Sequence, residues 1–189
     1  YGCTSPVEEF ITEEYYRSVW GRWNDAETLD QMVSGMDRTE DGLLADVAQL
    51  YGMGDFALDH LTVLEGDLNK LREDGGRYVA AVYSDDYGNP ELDSHWARLG
   101  DIITLRYVEE MAYVDPDTGI AYSSAEDVPA GASYVARAVK YRVVEYEVAA
   151  LVTVPSAFSY RYYGADEFIL NDQTFMQDSG TDSVMYYAF

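Results

Sequence analysis

Tyr141-Arg142-Val143-Val144-Glu145-Tyr146-Glu147-Val148-Ala149-Ala150-Leu151-Val152 is a run dense in valine and tyrosine, with Tyr141, Val143, Glu145, Glu147 and Val148 in near alternation. Such residues fit a pleated, half-buried surface, so the run reads as β-structure. The β-prone stretch extends from Tyr134 to Val154 and stops at Pro155. That is too long for an ordinary strand, and two strands divided near Glu145 are expected.

Outward from this run, the second half of the chain reads as strands. Tyr78 to Tyr83 is strongly β-prone and leads into a polar loop from Ser84 to Glu91. Asp101 to Met111 and Ile120 to Tyr122 flank Asp115-Pro116-Asp117-Thr118-Gly119, which has the chemistry of a hairpin turn. Ala125 to Ala132 is a loop carrying Pro and Gly, and Glu167 to Leu170 and Ser183 to Phe189 are further short strands.

The first third reads as helical, then mixed. Ser5-Pro6-Val7-Glu8 has the form of a capping box with Pro at the first helical position. Val7, Phe10, Glu14, Tyr15 and Val19 follow at roughly helical spacing, ending at Gly21. A second helix starts at Asn24 and carries Leu29, Met32, Val33 and Met36 on one stripe. Leu43 to Tyr51 is a strand, Tyr51 to Asp55 a glycine-rich turn, and Phe56 to Leu64 fits neither period until its strand-like second half. No repeat and no long linker appears. The expected class is α+β.

Composition narrows the function. Among 189 residues, 35 Asp and Glu face 12 Lys and Arg, giving a net charge of −23. A field of that sign repels nucleic-acid phosphates and anionic lipid headgroups, so neither is an expected partner. The acidity suits solubility in an extracellular medium, or recognition of a cationic ligand such as a peptide. Cys3 is the only cysteine, which excludes an intrachain disulfide. No apolar window of about 20 residues is present to span a bilayer. The chain opens on Tyr-Gly-Cys and ends on Val184-Met185-Tyr186-Tyr187-Ala188-Phe189, and it reads as a piece of a longer protein.

Catalytic motifs are absent by pattern. His60 and His95 lie far apart without zinc-ligand spacing. The loop at Asp115, Asp117 and Gly119 lacks the third acid and the distal bidentate Glu of a calcium loop, and reads as a β-turn. Asp85, Asp86, Asn89 and Asp93 offer oxygen for a weakly held ion. A carboxylate hydrolase needs two acids that converge, whereas neighbours such as Asp85-Asp86 and Glu109-Glu110 point to opposite faces of a strand. Metal and cofactor are therefore both expected to be none. Of the 18 tyrosines, the group Tyr160, Arg161, Tyr162 and Tyr163 is the candidate partner surface, since tyrosine gives contact area at low entropic cost.

Three stretches together resemble the extracytoplasmic domain of FtsX/MacB-type ABC transporter permeases of Gram-positive type: Leu64-Glu65-Gly66-Asp67-Leu68, Leu99-Gly100-Asp101-Ile102-Ile103-Thr104-Leu105 and Tyr146-Glu147-Val148-Ala149-Ala150-Leu151-Val152. Tyr162-Tyr163-Gly164 and Asp166-Glu167-Phe168-Ile169-Leu170 resemble the segment that follows, and the stretch from Glu109 to Val139 is longer than in short members. The resemblance implies a βαβ-containing porter-like lobe from 1–75 and 156–189, with a β-rich lobe, 76–155, inserted. It implies a non-catalytic domain on the extracellular face of the membrane (the MacB-like periplasmic core), attached to its own transmembrane helices. A separate cytoplasmic ATP-binding subunit would drive it, and a peptide, lipid or protein would be its ligand. Two other readings stand beside it: a stand-alone secreted module binding carbohydrate or peptide, and a carboxylate-based hydrolase.

Overall fold

The computed structural model describes residues 2–86, 89–155 and 165–180. The chain opens with strand β1 (Gly2–Ile11), helix α1 (Glu13–Trp20) and helix α2 (Ala26–Ser34). Then come β2 (Leu44–Met53), the single turn α3 (Asp55–Leu58), β3 (Thr62–Gly66) and a 3-10 turn over Leu68–Arg72. β4 (Tyr78–Val82) precedes a small hairpin of β5 (Ser84–Asp86) and β6 (Asn89–Glu91). β7 (Ile102–Val114), β8 (Ala121–Tyr122), β9 (Val135–Thr153), β10 (Glu167–Asn171) and helix α4 (Asp172–Ser179) complete it. The class is mixed α and β, with one large mixed sheet and few helices.

That sheet closes on itself. β1 pairs antiparallel with β2 and β7, β2 parallel with β10, β10 antiparallel with β4, β4 parallel with β9, and β9 antiparallel with β7. Six strands thus form a ring, with β3 beside β9 and β8 beside β7 at its margins. Closure removes most open strand edges, and alternate side chains fill the interior. Val7, Leu50, Val79, Ala81, Ile103, Leu105, Tyr146, Val148, Phe168 and Leu170 are all buried there. Around this ring β10, β2 and β1 from the flanking segments are contiguous, and β7, β9 and β4 from 76–155 form the other half.

Three caps complete the core. α3, β3 and the 3-10 turn lay Leu58, Leu61, Leu68 and Leu71 on the outer faces of β4, β10 and the ends of β2 and β9. α1 and α2 set Tyr16, Leu29 and Val33 against Ile11 and Leu44. From α4, the fully buried Phe175 packs into the barrel core. Beyond the barrel, β7 and β9 continue as a paired ribbon from Ile102↔Glu147 to Val114↔Val135, with register irregularities between Val108 and Met111. Val135, Val139 and Val143 are exposed along it.

Local chemistry explains where the expectations failed. The start read at Ser5-Pro6 is strand, because Val7, Glu9 and Ile11 alternate inward, and tertiary pairing with β2 overrides the capping signal. The register of β1 slips between Thr4 and Val7, the place where a residue without an N–H is tolerated. The helix starts instead at Thr12, whose side chain accepts from Tyr15 N at 3.2 Å, with Glu13 and Glu14 in the first turn. Tyr51 to Met53 belongs to β2 rather than to a turn. The run from Val135 to Thr153 is one strand of 19 residues, not two. It spends its first half on β7 and its second between β4 and β3, so no break is needed at Glu145. The expected strand at Ser183 to Phe189 lies outside the described residues.

Candidate functional site

The three stretches that carry the resemblance meet at one junction. Gly66 has φ +89°, and a Cβ there would fall 2.2 Å from Ala149 O and 2.5 Å from Leu99 Cδ1. Only glycine fits such a conformation and such an approach. Asp67 N donates to Ala149 O (2.9 Å), Gly100 N to Val148 O (2.8 Å) and Val148 N to Asp101 O (2.8 Å). Asp101 closes its turn by accepting from Arg98 N at 2.8 Å. The motif residues therefore stitch β3 and the start of β7 onto β9, which is an architectural task.

Tyr160, Arg161, Tyr162 and Tyr163 lie outside the described residues. His60 is exposed, and its Nδ1 meets Phe56 O at 2.7 Å. His95 is buried between Phe168, edge-on at 4.8 Å, and Tyr83, stacked at 5.6 Å. Its Nδ1 accepts from Ala97 N at 3.0 Å, so the proton sits on Nε2, which faces Glu167 O at 3.3 Å. Burial lowers its pKa, keeping the ring neutral. Asp115 accepts from Asp117 N (2.8 Å) and Thr118 N (3.3 Å), as a turn residue does, and these bonds lower its pKa. Among the described residues, no group of three His, Cys, Asp or Glu is placed to hold a metal ion.

Acids do converge, at a place the sequence did not reveal. Glu9 on β1 and Asp46 on β2 are directly opposed in register, and so project on one face. Asp166, just before β10, joins them: Tyr15 on α1 donates its hydroxyl to Asp166 Oδ1 at 2.8 Å. Glu9 is fully buried; Trp96 Nε1 donates to its Oε2 at 2.6 Å, while Oε1 is buried with no hydrogen-bond partner among the described residues. Burial and then the Asp166 carboxylate push the Glu9 pKa well above the ordinary range. Burial likewise pushes Asp46 up to about 6. The small recess between Tyr15, Trp20, Asp46 and Asp166 holds no space for a water molecule. Substrate has no room at these acids among the described residues.

A second buried polar group fixes the other helix. Asp178 on α4 accepts from Tyr146 OH at 2.6 Å and pairs with Arg77, and Tyr146 shares a 2.6 Å bond with Tyr107. Arg142 donates to the Asp178 carbonyl. Burial pushes both phenols above their ordinary pKa, so they remain hydrogen-bond donors.

An open concavity of about 540 Å³ lies on the ribbon, lined by Glu109, Met111, Tyr113, Tyr122 and Val139. Its acids are already engaged, since Lys140 lies 3.3 Å from both Glu109 and Glu110.

These features define a closed mixed β-barrel with buried polar locks under its helices and a projecting ribbon. No protein-family model matches the chain, and searches of the curated proteins and of the solved structures find no match.

Proposed function

We propose that the chain is a non-catalytic extracellular domain of an FtsX/MacB-type ABC transporter permease. In this role it binds a substrate or partner, or transmits motion driven by a separate cytoplasmic ATPase. The observation that carries the reading is the junction at Gly66, Gly100 and Ala149. Residues distant in sequence that resemble the family's markers meet there through backbone bonds and a steric demand for glycine. In this reading 1–75 and 156–189 form the porter-like lobe. The inserted 76–155 contributes β4, β7 and β9 to the shared sheet and sends the ribbon outward. Among the described residues the converging acids leave no substrate space, which favours a mechanical or binding role over hydrolysis.

The test uses the uninterrupted protein in its own cell. The reading frame should encode a membrane-spanning helix shortly before Tyr1 and more after Phe189. In a background lacking Cys3, an Asp117→Cys variant, on an exposed turn, should react with a membrane-impermeant thiol reagent on intact cells. Labelling only after lysis would overturn the extracellular placement. A frame with a signal peptide and no spanning helix would replace the proposal with the stand-alone secreted module.

A further inference from the structure

Glu9, Asp46 and Asp166 bring three carboxyl groups together, and among the described residues no cation is in the set that governs Glu9's ionisation: Asp166 and Asp46 disfavour its charge, and the Trp96 N–H alone favours it. α1 supplies Tyr15 and Tyr16, both neutral phenols whose pKa is raised by burial. The segment before β7 supplies neutral His95 and the Trp96 indole. Tyr83 at the end of β4 is held by Arg98, which donates to its hydroxyl at 2.7 Å. Glu8, adjacent on β1, is satisfied by Arg106 at 2.7 Å. A buried carboxylate with no counter-charge is too costly to persist, so the cluster must take up a positive charge or stay partly neutral.

The orphaned Glu9 Oε1 shows where. Two carboxylates cannot hydrogen-bond each other, since both only accept, whereas a carboxylic acid donates to a carboxylate in a short, strong bond. We propose that Glu9 is a proton-held lock: at neutral pH it carries one proton, donates it to Asp166, and thereby ties β1 to the segment leading into β10. Through Tyr15, which also donates to Asp166, the same bond anchors α1. Alkali removes the proton to solvent, only the O–H bond breaks, and two like charges then face each other beneath α1.

The sign follows from linkage. A carboxyl whose folded pKa is raised keeps its proton when the unfolded chain has lost it. Stability from this site is intact below the ordinary carboxylate range and falls as pH rises towards the folded value. Thermal unfolding of the wild type and of Glu9→Gln, across pH at fixed ionic strength, reads this directly. The wild type should lose about 3–5 °C in Tm per pH unit relative to Glu9→Gln across that window. Infrared difference spectra at neutral pH should show a protonated-carboxyl C=O band that Glu9→Gln lacks. Asp166→Asn offers Glu9 a neutral partner and should shift that band while flattening the pH slope, which keeps the test decisive if Glu9→Gln folds poorly. Parallel pH slopes, or a band unchanged by both substitutions, would overturn the proposal. So would a Tm raised by calcium or magnesium and lowered by chelator, since a metal would then occupy the protonic place.

Discussion

Gly52 leaves no room for a side chain. A Cβ there would fall 2.6 to 2.8 Å from three atoms of Phe175, the residue α4 drives into the barrel core. Gly52→Ala should therefore destabilise by about 1–3 kcal/mol, as overpacking of a filled core does. In chemical denaturation, combining it with Phe175→Leu should cost less than the sum of the two single changes, and strict additivity would sever the contact. Such close approaches are not legible in a sequence, where Gly52 reads as part of a turn. The turn at Gly100 and Asp101 is of the opposite kind: a positive φ at the glycine and an Asp101 carboxylate accepting from Arg98 N are chemistry local to the sequence. Glu9 was hidden by the capping signal beside it; read as strand, the series Val7, Glu9, Ile11 places an acid on the apolar parity and marks it at once.

The elements separate by how local their causes are. α2 is where its Leu29 and Val33 stripe puts it, capped by Asp25 rather than Asn24 through a 2.8 Å bond to Thr28 N. β4, β7 and β10 follow their β-prone runs closely. α4 was missed, since Asp172 to Ser179 offers little amphipathic pattern and is held by packing and by Asp178. Asp178→Ala removes the carboxylate that Tyr146 and Arg77 share inside the protein. Arg77 is half exposed and stays solvated, so the cost is that of leaving the buried Tyr146 hydroxyl without its acceptor, about 1–3 kcal/mol. Amide exchange over α4 should then quicken far more than over β2 or β4, and uniform quickening would show that Asp178 does not act on the helix alone. The Asp178 carbonyl stays available to Arg142, so the loss should be graded rather than complete.

Across the whole molecule, 35 acids against 12 strong bases make self-repulsion a standing cost of the folded state. The ion pairs are mostly on the surface, where each contributes at most about 1 kcal/mol. Screening should therefore relieve more repulsion than it removes attraction. Melting temperature should rise by several degrees between about 0.01 M and about 0.5 M sodium chloride. A falling Tm would show that the ion pairs, not the net charge, dominate. The closure of the barrel was not legible in advance: β10 pairs with β2 and β4 across more than a hundred and more than eighty residues respectively, and no local pattern specifies such partners.

One strand belongs to two bodies. At about 3.3 Å per residue, a chain segment as long as β9 runs for roughly 60 Å, its base gripped between β4 and β3 and its far half free of the barrel. Mechanically this is a cantilever. Load applied at the tip passes along covalent bonds, and the parallel pairing of β4 with β9 resists it in shear, many hydrogen bonds at once. The register shifts between Val108 and Met111 interrupt the ladder there, so a bending load on the ribbon would concentrate at that point rather than at the clamped root.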